Sequence, residues 1–154
     1  MKSAWSTMLR TVSIVLSLLL GASMACAEPV GMVKTVKGLA HIERNGQKVP
    51  AMVGVSVESG DRILTGVDAS IGISLRDNTL LSAGPNATLV LSRFAFNATT
   101  HEGALDAQVK RGSLSVISGK IAKANPDAVV FSTPGITLGV RGTEFIIDAG
   151  QTEE

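Results

Sequence analysis

Few residues in this 154-residue chain could do covalent or metal chemistry. It has one cysteine, Cys26, and two histidines, His41 and His101, which lie far apart in polar surroundings. A lone cysteine closes no internal disulfide and is too little for a cysteine-built zinc site. Two separated histidines leave little material for a metal cluster. No serine stands in a nucleophile elbow, and no close acidic pair is flanked by aromatics as glycoside hydrolysis would need. Gly139-Val140-Arg141-Gly142-Thr143 has the glycines of a phosphate cradle. It lacks the lysine of such a loop, however, and precedes a strand pattern rather than a helix. The reading is of a protein that is not an enzyme, with no catalytic, cofactor-binding or metal-binding residue.

The polar residues that remain suit turns. Gly60 can supply a positive φ, and Asp61 can accept from nearby backbone amides, although a carboxylate there could also contact a partner. Thr65, Asp77, Thr133 and Pro134 lie in similar punctuation, as do Gly142 and Thr143 around Arg141. The planar fork of Arg141 suits bidentate pairing with a carboxylate held between sheets. Asp61 or Asp77 is its expected partner.

The elements that must position these residues read as strands. Ala69, Ile71, Ile73 and Leu75 alternate with Ser70, Gly72, Ser74 and Arg76, the period-two pattern of a half-buried strand. Asp77-Asn78 follows as a turn. Ala87, Leu89 and Leu91 repeat the pattern, as do Leu114 with Val116, Val129 with Phe131, and Phe145 with Ile147. Asn45-Gly46 between His41–Arg44 and Gln47–Val49 is a hairpin signal. Other turns are expected near residues 60, 67, 85, 112, 119, 126 and 134. No window of ten or more residues after residue 27 carries a helical period, and 98–110 fits neither period cleanly. The fold class is all-β: short antiparallel strands in a sandwich, a roll or a β-solenoid-like arrangement.

Residues 1–27 read as a signal peptide. Lys2 and Arg10 precede the apolar run Thr11 to Met24, and Ala25-Cys26-Ala27 gives the small-x-small cleavage pattern, with the cut before Glu28. Uncleaved anchoring and lipidation at Cys26 are the alternatives. Removing the segment takes the formal charge from +1 to −1, because Lys2 and Arg10 leave 12 basic residues against 13 acidic ones. That balance argues against nucleic acid as a partner. With 3% aromatics, no base-stacking surface is expected either. No later run is long enough to form an integral membrane segment. The expected product is one domain over 28–154, periplasmic or secreted.

Two stretches carry a family pattern. One is Val57-Glu58-Ser59-Gly60-Asp61-Arg62-Ile63-Leu64-Thr65-Gly66, followed by the strand to Asp77 and the turn Gly84-Pro85-Asn86-Ala87. The other is Phe131-Ser132-Thr133-Pro134-Gly135, then Gly139-Val140-Arg141-Gly142-Thr143-Glu144-Phe145. In order and spacing, over about 30–148, these resemble the FecR-type extracytoplasmic domain family. The resemblance implies an exported FecR-domain protein that works by protein–protein interaction in bacterial envelope signalling or assembly. Familiar members join such a domain to a membrane helix and a cytoplasmic anti-sigma segment, and neither is read here. Their strands also continue beyond the Arg-Gly-Thr motif. This chain reaches Glu154 soon after Ile147, so the last strand, about 143–148, either leaves an open edge or has it covered by the tail or a loop. An open edge is a template for strand addition by an envelope protein partner. The alternative function is recognition of a cell-wall glycan or other surface polymer on an exposed sheet face. The sequence does not set the oligomeric state.

Overall fold

The computed structural model describes residues 28–140 and 142–150. The signal-peptide reading, Cys26 and Arg141 therefore lie outside the described residues.

Among the described residues thirteen strands form two sheets. In chain order they are β1 (Gly31–Lys37), β2 (Ala40–Arg44), β3 (Gln47–Pro50), β4 (Ser56–Val57), β5 (Arg62–Thr65), β6 (Ser70–Leu75) and β7 (Leu80–Ala83). There follow β8 (Thr88–Phe96), β9 (Gly103–Arg111), β10 (Ser113–Ile117), β11 (Val129–Ser132), β12 (Thr137–Gly139) and β13 (Glu144–Asp148). One sheet has six strands in the order β13-β10-β7-β6-β1-β4; the other has seven, β12-β11-β9-β8-β5-β2-β3. Of the arrangements the sequence allows, the sandwich is the one that forms.

The alternation places the core. Ile71, Ile73 and Leu75 of β6, Leu81 of β7, and Leu114 and Val116 of β10 are buried from one sheet. Ile42, Ile63, Leu89, Leu91, Leu105 and Phe131 meet them from the other in one hydrophobic cluster. Phe131 and Phe145 pack edge to face at 5.5 Å between ring centroids, which ties β11 to β13 across the layers. Asn45 and Gly46 both adopt positive φ, 51° and 76°, the geometry of a two-residue hairpin turn whose twist matches the strands. Accordingly β2 and β3 pair from His41↔Pro50 to Arg44↔Gln47.

The sequence reading needs adjustment in three places. Most of the segment 98–110 belongs to a strand, β9, which begins at Gly103 and has Leu105, Ala107 and Val109 inward and Ala104 on the other face. Small alanines on both faces blur its period. β8 and β9 have nine residues each, so not every strand is short. One pair is also parallel: β11 runs alongside β9, with Val129↔Leu105 to Ser132↔Gln108. Between them the chain returns through β10 in the other sheet and a one-turn helix, Lys120–Ala124, the crossover that a parallel pair requires. The turns expected at 119 and 126 bracket that helix.

Candidate functional site

Asp61 sits just before β5 and is 1% exposed, so its charge needs a partner inside the protein. Arg44, the last residue of β2, supplies it. Its Nε donates to Oδ1 at 2.8 Å and its Nη2 to Oδ2 at 2.7 Å, a bidentate fork. Nη1 donates to Glu58 Oε1 at 2.6 Å and Nη2 also to the Ser56 carbonyl at 2.9 Å. The Glu58 amide donates to Asp61 Oδ2 at 2.8 Å, which closes the turn. The hydrogen bond to Asp61 is the main reason that the Arg44 pKa is held above the ordinary arginine value; burial works against it. Gly60, at φ 92°, donates its amide to the Leu91 carbonyl at 2.7 Å and anchors the same turn to β8.

Asp77 is 0% exposed and solves the same problem without a cation among the described residues. Its Oδ1 accepts from the Thr79 amide at 3.0 Å, and its Oδ2 from Thr79 Oγ1 at 2.7 Å and the Ile121 amide at 3.4 Å. Thr79 Oγ1 in turn accepts from the Gly119 amide at 3.1 Å, and the Asp77 carbonyl from the Lys120 amide at 2.7 Å. A Cβ on Gly119 would land on the Asp77 carbonyl and the Thr79 amide, so only glycine permits this approach.

The other turn residues are also tied to backbone. Thr65 Oγ1 donates to the Gly84 carbonyl at 2.6 Å and accepts from the Ala87 amide at 2.8 Å, which secures the Gly-Pro turn before β8. Thr133 opens a turn through Pro134 and Gly135, its amide donating to the Ile136 carbonyl at 2.8 Å. Ser118 Oγ donates to the Gly142 carbonyl at 2.9 Å and its amide to the Thr143 carbonyl at 2.8 Å.

Among the described residues Asp61 is held by Arg44, and Asp77 by Thr79 and Ile121; the pairing expected of Arg141 falls outside them. The residue that sequence reasoning missed is Arg44. Its only local signal is its place at a strand end before Asn45-Gly46, and nothing in the sequence shows that the register of β2 against β5 brings it to Asp61.

The far ends of both sheets come from the last strands. β12 borders the seven-stranded sheet and β13 the six-stranded one. Along the outer face of β13 stand Glu144, Ile146 and Asp148, with Ile146 74% exposed. On β10 beside it, Ile117 is 40% exposed and pairs with Leu80 of β7, also 40% exposed. In register Ile117 stands beside Glu144 and Ile146 beside Ser115, so Ile146 meets Ile117 only on the diagonal, at an edge whose strand pairs, among the described residues, with β10 alone.

A two-sheet sandwich whose Gly-Asp and Asp-Asn turns are closed by their own side chains, and whose Gly-Pro turn is held by Thr65, is the class of all-β domain that the motif order implies. The family model described as FecR protein matches residues 61–153, more than half of the chain, and the chain belongs to the FecR family. That family takes part in cell-envelope signalling. No curated protein and no solved structure matches the chain. Among the described residues no helix is long and apolar enough to cross a membrane.

Proposed function

We propose that this chain is an exported, non-catalytic member of the family that acts in the envelope by binding a protein partner through strand addition at β13. The observation that carries the reading is the edge itself. Among the described residues β13 offers a row of backbone donors and acceptors along its free side, with Ile146 exposed at its centre. A strand paired to β13 would cover Ile146 with its own side chains, and backbone pairing would give affinity while side chains give specificity. Glu144 and Asp148 flank Ile146, so the complementary strand carries cations on either side of an apolar residue.

A photo-crosslinking residue placed at position 146, with one at Lys34 as control, tests this in living cells. One recurrent protein adduct at 146 and none at 34 is the expected result. Equal labelling at both positions, or no protein adduct at 146, would sink the reading.

A further inference from the structure

The even charge balance of the chain conceals a local cluster of cations. On the seven-stranded sheet, alternation turns Arg62 and Leu64 of β5 and Gln108 and Lys110 of β9 outward, on either side of β8. The register aligns Arg62 with Val90 and Gln108, and Leu64 with Thr88 and Arg111. Between them lies a hollow of about 510 Å³, which Arg62, Leu64, Thr88, Gln108, Lys110 and Arg111 line. Its wall holds three cations and no carboxylate. Arg111 Nε donates to the Asn86 carbonyl at 3.0 Å, which fixes that guanidinium in place. Arg62 Nε is shielded from solvent and makes no hydrogen bond; its ion pair with Glu43 of β2 is a long one, 3.9 Å.

We infer that this hollow binds a phosphate-bearing group. Lys110 and Arg111 share the wall with Arg62, whose ion pair with Glu43 is long at 3.9 Å, and a doubly charged phosphate offsets such a group better than a single carboxylate. Two guanidinium forks match phosphate oxygens, and Lys110 adds a point charge. The Thr88 hydroxyl and the Gln108 amide suit the hydroxyls of a sugar or glycerol attached to the phosphate, with Leu64 as an apolar floor. The size fits, since small-molecule clefts run from roughly 300 to 1,000 Å³. No aromatic lines the hollow, so recognition is by charge rather than by stacking on a sugar ring. The site is independent of strand pairing at β13.

The test is a titration of the full-length chain, followed by amide NMR, with glucose 6-phosphate and with glucose. A parallel arm measures sedimentation with vesicles of phosphatidylglycerol or of phosphatidylcholine. We expect glucose 6-phosphate, but not glucose, to shift the amides of Leu64, Thr88 and Gln108 saturably. Arg62→Ala and Lys110→Ala should each weaken that binding about tenfold or more. Lys34→Ala, on the other sheet, should leave it unchanged, and added salt should weaken it throughout. Binding of the sugar phosphate without vesicle retention assigns a soluble or polymer-borne phosphate. Retention on phosphatidylglycerol alone, lost in both variants, assigns a lipid headgroup. Binding by neither probe, shifts outside the hollow, or unweakened binding in both variants overturns the proposal.

Discussion

Asp61 and Asp77 are both buried acids in turns that lead into or out of strands, and they are held by opposite means. Asp61 faces a guanidinium from a strand 17 residues earlier, in a bidentate pair. Asp77 is surrounded by amides and one hydroxyl, from Thr79 beside it and from Ile121 of the helix. The first is a lock between separate elements, and it fastens the β2 end to the β5 start. The second is a socket into which the segment after β10 fits. A buried charge must be compensated in either case, but only Asp61 leaves a second charge stranded when the contact breaks. The two turns should therefore respond differently to mutation.

The largest effect is expected at the lock. Arg44→Ala leaves Asp61 buried with little besides the Glu58 amide, and loss of one partner of a buried pair costs about 3–5 kcal/mol. Denaturant unfolding measures it, and a loss under about 1 kcal/mol would show that the fork is not what holds the turn. Arg44→Lys keeps a charge but not the fork, so it should fall between. The two also differ at high pH. Because the Arg44 pKa is raised in the folded state, its contribution is fully present below the ordinary arginine value and fades only as pH rises through the folded one. The native protein should lose nothing from this pair up to about pH 11, whereas a lysine, ordinarily at about 10.4, should begin to fail there.

The socket should give somewhat less. Asp77→Ala removes an acceptor for two amides and a hydroxyl and should cost about 2–3 kcal/mol, within the range for buried groups left unsatisfied. Gly119→Ala should cost about 1–3 kcal/mol by overpacking against the turn backbone. The double variant should cost less than the two together, because either change alone already opens the socket. Full additivity would mean that Gly119 and Asp77 do not share one structure.

This contrast also marks what could be read from the sequence. The strand 69–75, the Asn45-Gly46 hairpin and the turn at Asp77-Asn78 are written locally, in alternation and in residues that tolerate positive φ. Arg44 was not legible, because its role depends on the register of β2 against β5, which no short window contains. The family match begins at Asp61, while Arg44 precedes it, and β1 and β2 pair with β6 and β5 inside the matched region. The fold therefore draws on strands before the match. The cationic hollow was hidden for the same reason: Arg62 and Lys110 meet only after β8 is laid between them. The helix Lys120–Ala124 is too short for a period, and Gly119 gives it no side-chain cap.

The smallest effect on stability is expected where neither lock nor socket acts. Ile146 is largely exposed on the outer face of β13, so Ile146→Lys should change unfolding free energy by no more than about 0.5 kcal/mol. The same change places a cation between Glu144 and Asp148 and removes the apolar contact that a paired strand would cover. It should therefore abolish binding of whatever protein crosslinks at position 146 while the fold remains intact. Arg44→Ala provides the converse. It weakens the fold at the opposite end of both sheets, away from β13, so the fraction that remains folded should bind as the native protein does. If both variants lost binding in proportion to lost stability, the edge would have no role of its own, and the distinction between a structural end and a recognition end of this sandwich would collapse.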